Sequence, residues 1–326
     1  MMLFSIAITG PTASGKTALS LSLAEELKAE IVSCDSMQIY RYMNIGTAKA
    51  TAEEQGRVKH HLIDFLEPDR DYSVESYRED AMRAAREISE RGKTPLFVGG
   101  TGLYIDSLSR GCAMEAPESD PEYRERILKK IQSEEDIDAL WQRLREIDPE
   151  SAEKIHKNNV KRVIRAIEIY EKTGKPKSLL DRESKRESSE IFVGMITLDF
   201  HNRDTLYERV DRRVDMMIEE GLVEEVKELL SRGYLKDGTA SQAIGYKELV
   251  AYIEGKCTLS EAADEIKLAS RRYAKRQLTW FRHENGAKTL YMDTEDGKMR
   301  RLEDIMLDAR QYAEELRLEY ETKKGF

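Results

Sequence analysis

The chain contains Gly10-Pro11-Thr12-Ala13-Ser14-Gly15-Lys16-Thr17, the spacing G-x-x-x-x-G-K-[ST]. Each residue type has a task in holding an oligophosphate. The glycines let backbone N–H groups turn towards the anion, Lys16 adds a full positive charge, and the Thr17 hydroxyl can ligate Mg2+. Two further short stretches carry polar groups beside apolar runs: Asp35 and Ser36 in "CDSMQIY", and Gly99, Gly100 and Thr101 in "VGGTGLY". A chance match in an ordinary turn would need none of this flanking context.

The elements that position these residues are legible in the pattern. Apolar runs bounded by turn residues predict strands at Leu3–Thr9, Glu30–Cys34, Thr94–Val98, Ile191–Leu198 and Thr289–Met292, with helical periodicity between the first three. That alternation implies a parallel α/β sheet flanked by helices, of the P-loop NTPase-like type. Ligands of such sheets lie at the carboxyl ends of the strands, where the phosphate loop, Asp35 and Thr101 all fall. A nucleotide-hydrolysing protein usually ends a strand in an acid that serves Mg2+ and the attack on the γ-phosphate. Here "TPLFVGGT" ends in glycines and threonine, so Asp35 is the acid at hand. It is a metal ligand, a base acting on a second substrate, or a helix cap.

At 326 residues the chain is long for one layered core. The division expected is 1–114 for the first part of the core, 115–190 for an all-helical insertion, and 191–326 for the return to the core with C-terminal helices. The insertion shows helical periodicity broken at Asp148-Pro149 and Gly174-Lys175-Pro176. Helices are also expected in "DTLYERVDRRVDMMIEEGLVEEVKELLSRGY", in "LSEAADEIKLASRRYAKRQLTWFR" and over Glu303–Lys324. No apolar stretch approaches membrane-span length, and the N-terminal apolar run is read as strand one rather than a signal peptide. Cys34, Cys112 and Cys257 have no metal-ligand spacing and fit a reducing, cytoplasmic compartment.

A net charge of −9 argues against a nucleic-acid partner until its distribution is considered. "KNNVKRVIRA" gathers Lys157, Lys161, Arg162 and Arg165, with Glu168 following. "KLASRRYAKRQLTWFRHENGAK" gathers Lys267, Arg271, Arg272, Lys275, Arg276, Arg282 and Lys288 against the single acid Glu284. The bland reading is two solvated helix faces. Tyr273, Trp280 and Phe281 tilt the second segment towards stacking on nucleic acid, although the Trp and Phe also suit a core.

The stretches "GPTASGKT", "DSMQIYRYMNIGTAK", "HHLIDFLEPDRDYSVESYREDA", "PLFVGGTGLYIDSL", "RVIRAIEIYEKTGK", "SQAIGYKEL" and "RRYAKRQLTWFR", in this order, resemble the tRNA dimethylallyltransferase family. The likeness spans nearly the whole chain. It departs from the family at Asn44 and Ala50, where aspartate and proline are common, which leaves the stiffness of that loop open. The resemblance implies transfer of a dimethylallyl group from its diphosphate to the exocyclic amine of the adenosine 3′ of the anticodon. The loop Gly10–Thr17 then holds a diphosphate leaving group, and Mg2+ on Thr17 is implied with it.

The resemblance also assigns residues. Asp35 is the base that takes the proton of a weakly nucleophilic amine. Thr101 and Arg213 join Lys16 in stabilising the departing diphosphate, with Arg209 one helical turn before Arg213. For those two arginines, a surface pairing with Asp211 or Glu208 stays open from the residues alone. Contacts to tRNA are implied for Asp35, Ser36, Met37, Gln38, Thr101, Arg124, Lys161, Val163, Ile164, Arg165 and Arg162. They are implied too for Ser241, Gln242, Ala243, Ile244, Gly245, Tyr246, Lys275, Arg276 and Arg282. The partners implied are the tRNA anticodon stem-loop and dimethylallyl diphosphate, with no membrane, the protein acting as a monomer. The alternatives weighed are a small-molecule kinase, a prenyltransferase of free adenylate and a non-catalytic tRNA-binding protein.

Overall fold

A computed structural model describes residues 2–109, 120–184, 190–283 and 286–324. Cys112, Glu284 and the expected boundary at 114/115 lie outside the described residues. The chain divides into two compact units, Met1–Ser109 with Glu190–Phe326, and Arg110–Ser189.

The first unit begins β1 (Leu3–Thr9), α1 (Lys16–Leu27), β2 (Ala29–Ser33), α2 (Ala52–Arg57), β3 (His60–His61), α3 (Val74–Glu90), β4 (Thr94–Gly99) and α4 (Gly102–Ser109). The second unit is helical among its described residues: α5 (Pro121–Lys130), α6 (Glu134–Ile147), α7 (Pro149–Lys154), α8 (Val160–Thr173) and α9 (Lys177–Ser184). The chain then returns through β5 (Ile191–Asp199), α10 (Arg203–Glu219), α11 (Leu222–Ser231), α12 (Tyr246–Ile253), α13 (Leu259–Phe281), β6 (Lys288–Tyr291) and α14 (Leu302–Lys324).

The six strands form one parallel sheet in the order β3-β2-β4-β1-β5-β6. Ala7, Ile8, Val32, Leu96, Phe97, Ile196 and Leu198 are fully buried, as expected where helices cover both faces of a parallel sheet. Side chains of this kind contribute about 1.5–3 kcal/mol each on burial. Register decides where the loops emerge. Thr9 lies beside both Gly99 and Thr197, and Ser33 beside Val98. The residues that follow, Gly10, Asp35 and Gly100-Thr101, therefore leave the sheet at one edge.

The two-residue β3 was not expected: His60-His61 is too short and polar to read as a strand. It joins the sheet beside Ile31 and Val32, and His61 Nε2 meets the buried Glu30 carboxylate at 2.7 Å. In the helical unit, Asp148 caps α7 by accepting from the Ser151 N–H, and Gly174 ends α8 at φ 69°. Two further breaks separate α5 from α6, where Ser133 and Asp136 form a capping box, and α7 from α8. The expected helix 204–234 is also interrupted, at Gly221 with φ 102°, dividing α10 from α11.

Candidate active site

The loop between β1 and α1 wraps towards its own lysine. Gly10 has φ 142°, and a Cβ there would stand 2.8 Å from the Leu198 carbonyl oxygen. Gly15 opens α1 at φ 97°. Lys16 Nζ donates to the carbonyls of Gly10 (3.0 Å) and Pro11 (2.6 Å). Two groups from distant elements brace the loop: Arg209 Nε of α10 donates to the Ala13 carbonyl at 2.9 Å, and the Thr12 N–H donates to Gln277 Oε1 of α13 at 2.9 Å. The Ser14 hydroxyl is fully buried and has no hydrogen-bond partner among the described residues. Such a donor is costly unless a ligand completes it.

The loop opens on a cavity of about 800 Å3 in the first unit, lined also by Asp35, Gln38, Arg209, Arg213, Gln242, Tyr273 and Arg276. Arg213 is thus not a surface residue; Asp211, the partner considered for it, pairs instead with Arg271 at 2.5 Å. Burial depresses the Arg213 guanidinium from its ordinary value, with Asp35 opposing. Lys16 is pushed down to about 7, chiefly by burial and next by Arg213, while Asp35 draws it up. The cavity floor therefore gathers Lys16, Arg209 and Arg213 beside the Asp35 carboxylate.

Asp35 Oδ1 accepts from the Met37 N–H at 2.9 Å, forming an Asx turn that leaves Oδ2 for the cavity. Thr101 is not among the residues lining the cavity. Its Oγ1 accepts from the Ser36 N–H at 3.1 Å and lies 3.4 Å from Ser36 Oγ, beneath the turn that carries Asp35. Gln38 is engaged within the protein: Nε2 donates to the carbonyls of Thr47 and Ala48 at 3.2 Å each, and Oε1 accepts from Ser33 Oγ. For a metal, the exposed Thr17 hydroxyl and the Asp35 carboxylate face the cavity, and no group of three acidic, His or Cys side chains gathers among the described residues. That set fits Mg2+, which keeps waters and takes most other ligands from a substrate's phosphate oxygens.

Two glycines after β4 are dictated by contact. A Cβ on Gly99 would meet the Cys34 carbonyl at 2.2 Å, and one on Gly100 would meet Gln277 Nε2 at 2.1 Å. The loop containing Asn44 is held by Glu225 of α11, whose carboxylate accepts from the amides of Asn44, Ile45 and Gly46 and from the Tyr246 hydroxyl. Gly46 packs directly on the Tyr246 ring. Tyr246 is consequently fully buried, with its hydroxyl committed to Glu225, and it borders the cavity. Ala243 and Ser241 are buried as well, Ser241 Oγ donating to the Gly238 carbonyl. Gln242, Ile244 and Gly245 line the cavity.

The basic segments divide once the fold supplies acids. On α13 and beyond, Lys267 pairs with Asp215, Arg271 with Asp211, Arg282 with Asp199, and Lys288 with Glu315 and Glu319. Arg272, Lys275 and Arg276 remain exposed. Phe281 is buried and Trp280 packs against the core, so of the three aromatics only Tyr273 reaches the cavity. In the helical unit, Val163 and Ile164 are each 1 % exposed, so their side chains serve packing. Arg124 and Arg165 are committed to the buried Glu168 at 2.6 and 2.9 Å and tie α5 to α8. Lys161 and Arg162 stay exposed, with no ion-pair partner among the described residues.

Sequence reasoning passed over Gln277 and Glu225. For Gln277 a signal existed: it shares an i, i+3, i+4, i+7 stripe with Ala274, Leu278 and Phe281, an amide where the pattern calls for an apolar residue. Glu225 had none, since its partners are backbone amides 179 to 181 residues away.

Two family profiles match the chain, one described as IPP transferase over residues 38–284 and one as isopentenyl transferase over residues 4–65. A tRNA dimethylallyltransferase of Caldanaerobacter subterraneus is 47 % identical over 88 % of this chain and 91 % of its own. That of Carboxydothermus hydrogenoformans is 50 % identical over 86 % and 89 %. Among solved structures, the full-length tRNA isopentenylpyrophosphate transferase of Bacillus halodurans aligns with a TM-score of 0.68 at 42 % identity, covering 98 % of this chain and 100 % of that one. A eukaryotic dimethylallyltransferase acting on tRNA aligns with a TM-score of 0.75 at 29 % identity, covering 89 % and 74 %. With relatives this similar over nearly its full length, and a phosphate loop, an acid and two arginines brought to one cavity, the chain belongs to the tRNA dimethylallyltransferase family.

Proposed function

We propose that the protein transfers the dimethylallyl group of dimethylallyl diphosphate to N6 of the adenosine 3′ of the anticodon in tRNA, releasing diphosphate. The observation that carries the reading is the shared cavity: a cationic phosphate loop and a carboxylate open on one space, as a displacement with a diphosphate leaving group and an amine nucleophile requires. An adenine N6 lone pair is delocalised into the ring, so it attacks well only as its proton leaves. Asp35, held by the Met37 amide through one oxygen, accepts that proton on the other. The allylic C–O bond breaks as the C–N bond forms, and the charge gathering on the diphosphate is met by Lys16, Arg213, the loop amides and the Ser14 hydroxyl. Thr101 holds the Asp35 turn by accepting from the Ser36 amide and donating to Ser36 Oγ. Mg2+ on Thr17, when bound, would further neutralise the diphosphate.

For tRNA, Arg272, Lys275 and Arg276 of α13 and Lys161 and Arg162 of α8 supply cations with no ion-pair partner among the described residues, which suits phosphate contact. The adenosine is then extruded from the anticodon loop to reach Asp35. A monomer in the cytoplasm completes the reading.

The test is direct. Purified protein is incubated with dimethylallyl diphosphate, Mg2+ and unmodified tRNA, and the tRNA nucleosides are weighed by mass spectrometry, with free AMP as a parallel substrate. Prenylated adenosine from tRNA and none from AMP is expected; product from AMP alone would overturn the tRNA assignment.

A further inference from the structure

Gln277 lies on the inner face of α13 and is 5 % exposed. Its side-chain amide is used in both directions. Oε1 accepts from the Thr12 N–H of the phosphate loop at 2.9 Å, and Nε2 donates to the Gly100 carbonyl at 2.9 Å, next to Thr101. Gly100 has no side chain because Nε2 occupies the place of its Cβ. Neighbouring positions of the same helix carry Tyr273 and Arg276 to the cavity, and the outer face carries Lys275.

We infer that Gln277 is a positioning residue for prenyl transfer: its amide locks the phosphate loop and the Gly100-Thr101 loop into one rigid body, so that the diphosphate is held at a set distance from the Asp35 turn. Neither loop touches substrate through Gln277, and this inference rests on the prenyltransferase reading. Asn cannot replace it, being one methylene short of both partners. No apolar residue can replace it either, because a buried N–H and a buried C=O would each lose their partner. A carboxyl can replace half of it. Ionised, it still accepts from the Thr12 N–H but faces the Gly100 carbonyl with a second lone pair; protonated, its O–H donates to that carbonyl as the amide does. A 1 Å displacement between two catalytic loops is enough to cost roughly 10²-fold in rate.

The experiment compares wild-type enzyme with Gln277→Met and Gln277→Glu, measuring kcat, both KM values and tRNA binding between pH 5.5 and 8.5. Wild-type product formation tests the prenyltransferase reading separately from the variants. For Gln277→Met we expect kcat lowered roughly 10-fold to 10²-fold with tRNA affinity within about 3-fold of wild type. For Gln277→Glu we expect a similar loss at pH 8.5 and recovery towards wild type as pH falls, so that the variant-to-wild-type ratio of kcat rises at least about 5-fold as the introduced carboxyl takes up its proton. A structural defect alone would not reverse with pH. The inference is overturned if the ratio for Gln277→Glu is flat across the range, whatever Gln277→Met does, or if both variants keep wild-type kcat.

Discussion

Between pH 6.5 and 8.5 the free enzyme should lose most of its affinity for the diphosphate, because Lys16 loses its proton there. Burial and the Arg213 guanidinium hold its ammonium at about 7 rather than the ordinary 10.5, against the pull of Asp35. With that value, about three-quarters of the molecules carry the charge at pH 6.5 and roughly one in thirty at pH 8.5. If the charged form is the one that binds, apparent affinity falls by the same ratio, roughly 25-fold. Inorganic diphosphate itself titrates in this range, so each quantity is taken as the difference between wild type and Lys16→Met, in which the ligand's own protons cancel. By that difference, binding at pH 8.5 must take up close to one proton. Calorimetry with inorganic diphosphate and Mg2+, in buffers of different ionisation heat, measures both quantities, and Lys16→Met should lack the lysine's proton while keeping the ligand's own share. Stability moves the opposite way. The unfolded lysine holds its proton between about 7 and 10.5 while the folded one does not, so this group's contribution to stability rises with pH across that window. A difference in affinity between the two proteins that does not change with pH, with heats that depend on buffer equally in both, would mean that Lys16 stays charged and that the reasoning from burial is wrong.

Asp35→Ala should lower single-turnover prenylation by roughly 10²-fold or more while leaving tRNA affinity within a few-fold, since loss of the base strikes the transition state; rapid-quench kinetics with a filter-binding control decides it, and wild-type turnover removes Asp35 from the mechanism. Replacing Lys161 and Arg162 together by alanine should reduce the salt dependence of tRNA binding, the slope of log K against log salt changing by about 1.4 to 1.8 for two lost phosphate contacts, with diphosphate binding untouched; an unchanged slope makes them a solvated face. Glu225→Ala leaves three loop amides and the Tyr246 hydroxyl without their acceptor, a loss of about 2 kcal/mol that should lower the melting temperature by roughly 4–8 °C. A melting point within 1 °C of wild type, or about that, shows that water replaces the carboxylate.

What local pattern can specify, the chain specified by itself. Five of the six strands, the phosphate loop and the position of Asp35 at a strand end follow from apolar runs, two glycines and a lysine within short windows. The place of the ligand at the carboxyl edge follows from parallel topology alone. The charge segments behaved differently, because an ion pair is a property of space. Arg271 and Arg282 read as parts of one basic run, yet Asp211 and Asp199, 60 and 83 residues away, neutralise them. Arg124 and Arg165 sit in or near a basic segment and are consumed by one buried glutamate. Val163 and Ile164 lie beside exposed cations on the same helix, and only packing turns them inward. The supports of the site, Gln277 under the phosphate loop and Glu225 under the Asn44 loop, bond to backbone groups of distant segments. Backbone N–H and C=O are the same at every residue, so no side-chain pattern marks which of them will need a partner; the tertiary fold makes that choice when it brings the loops together.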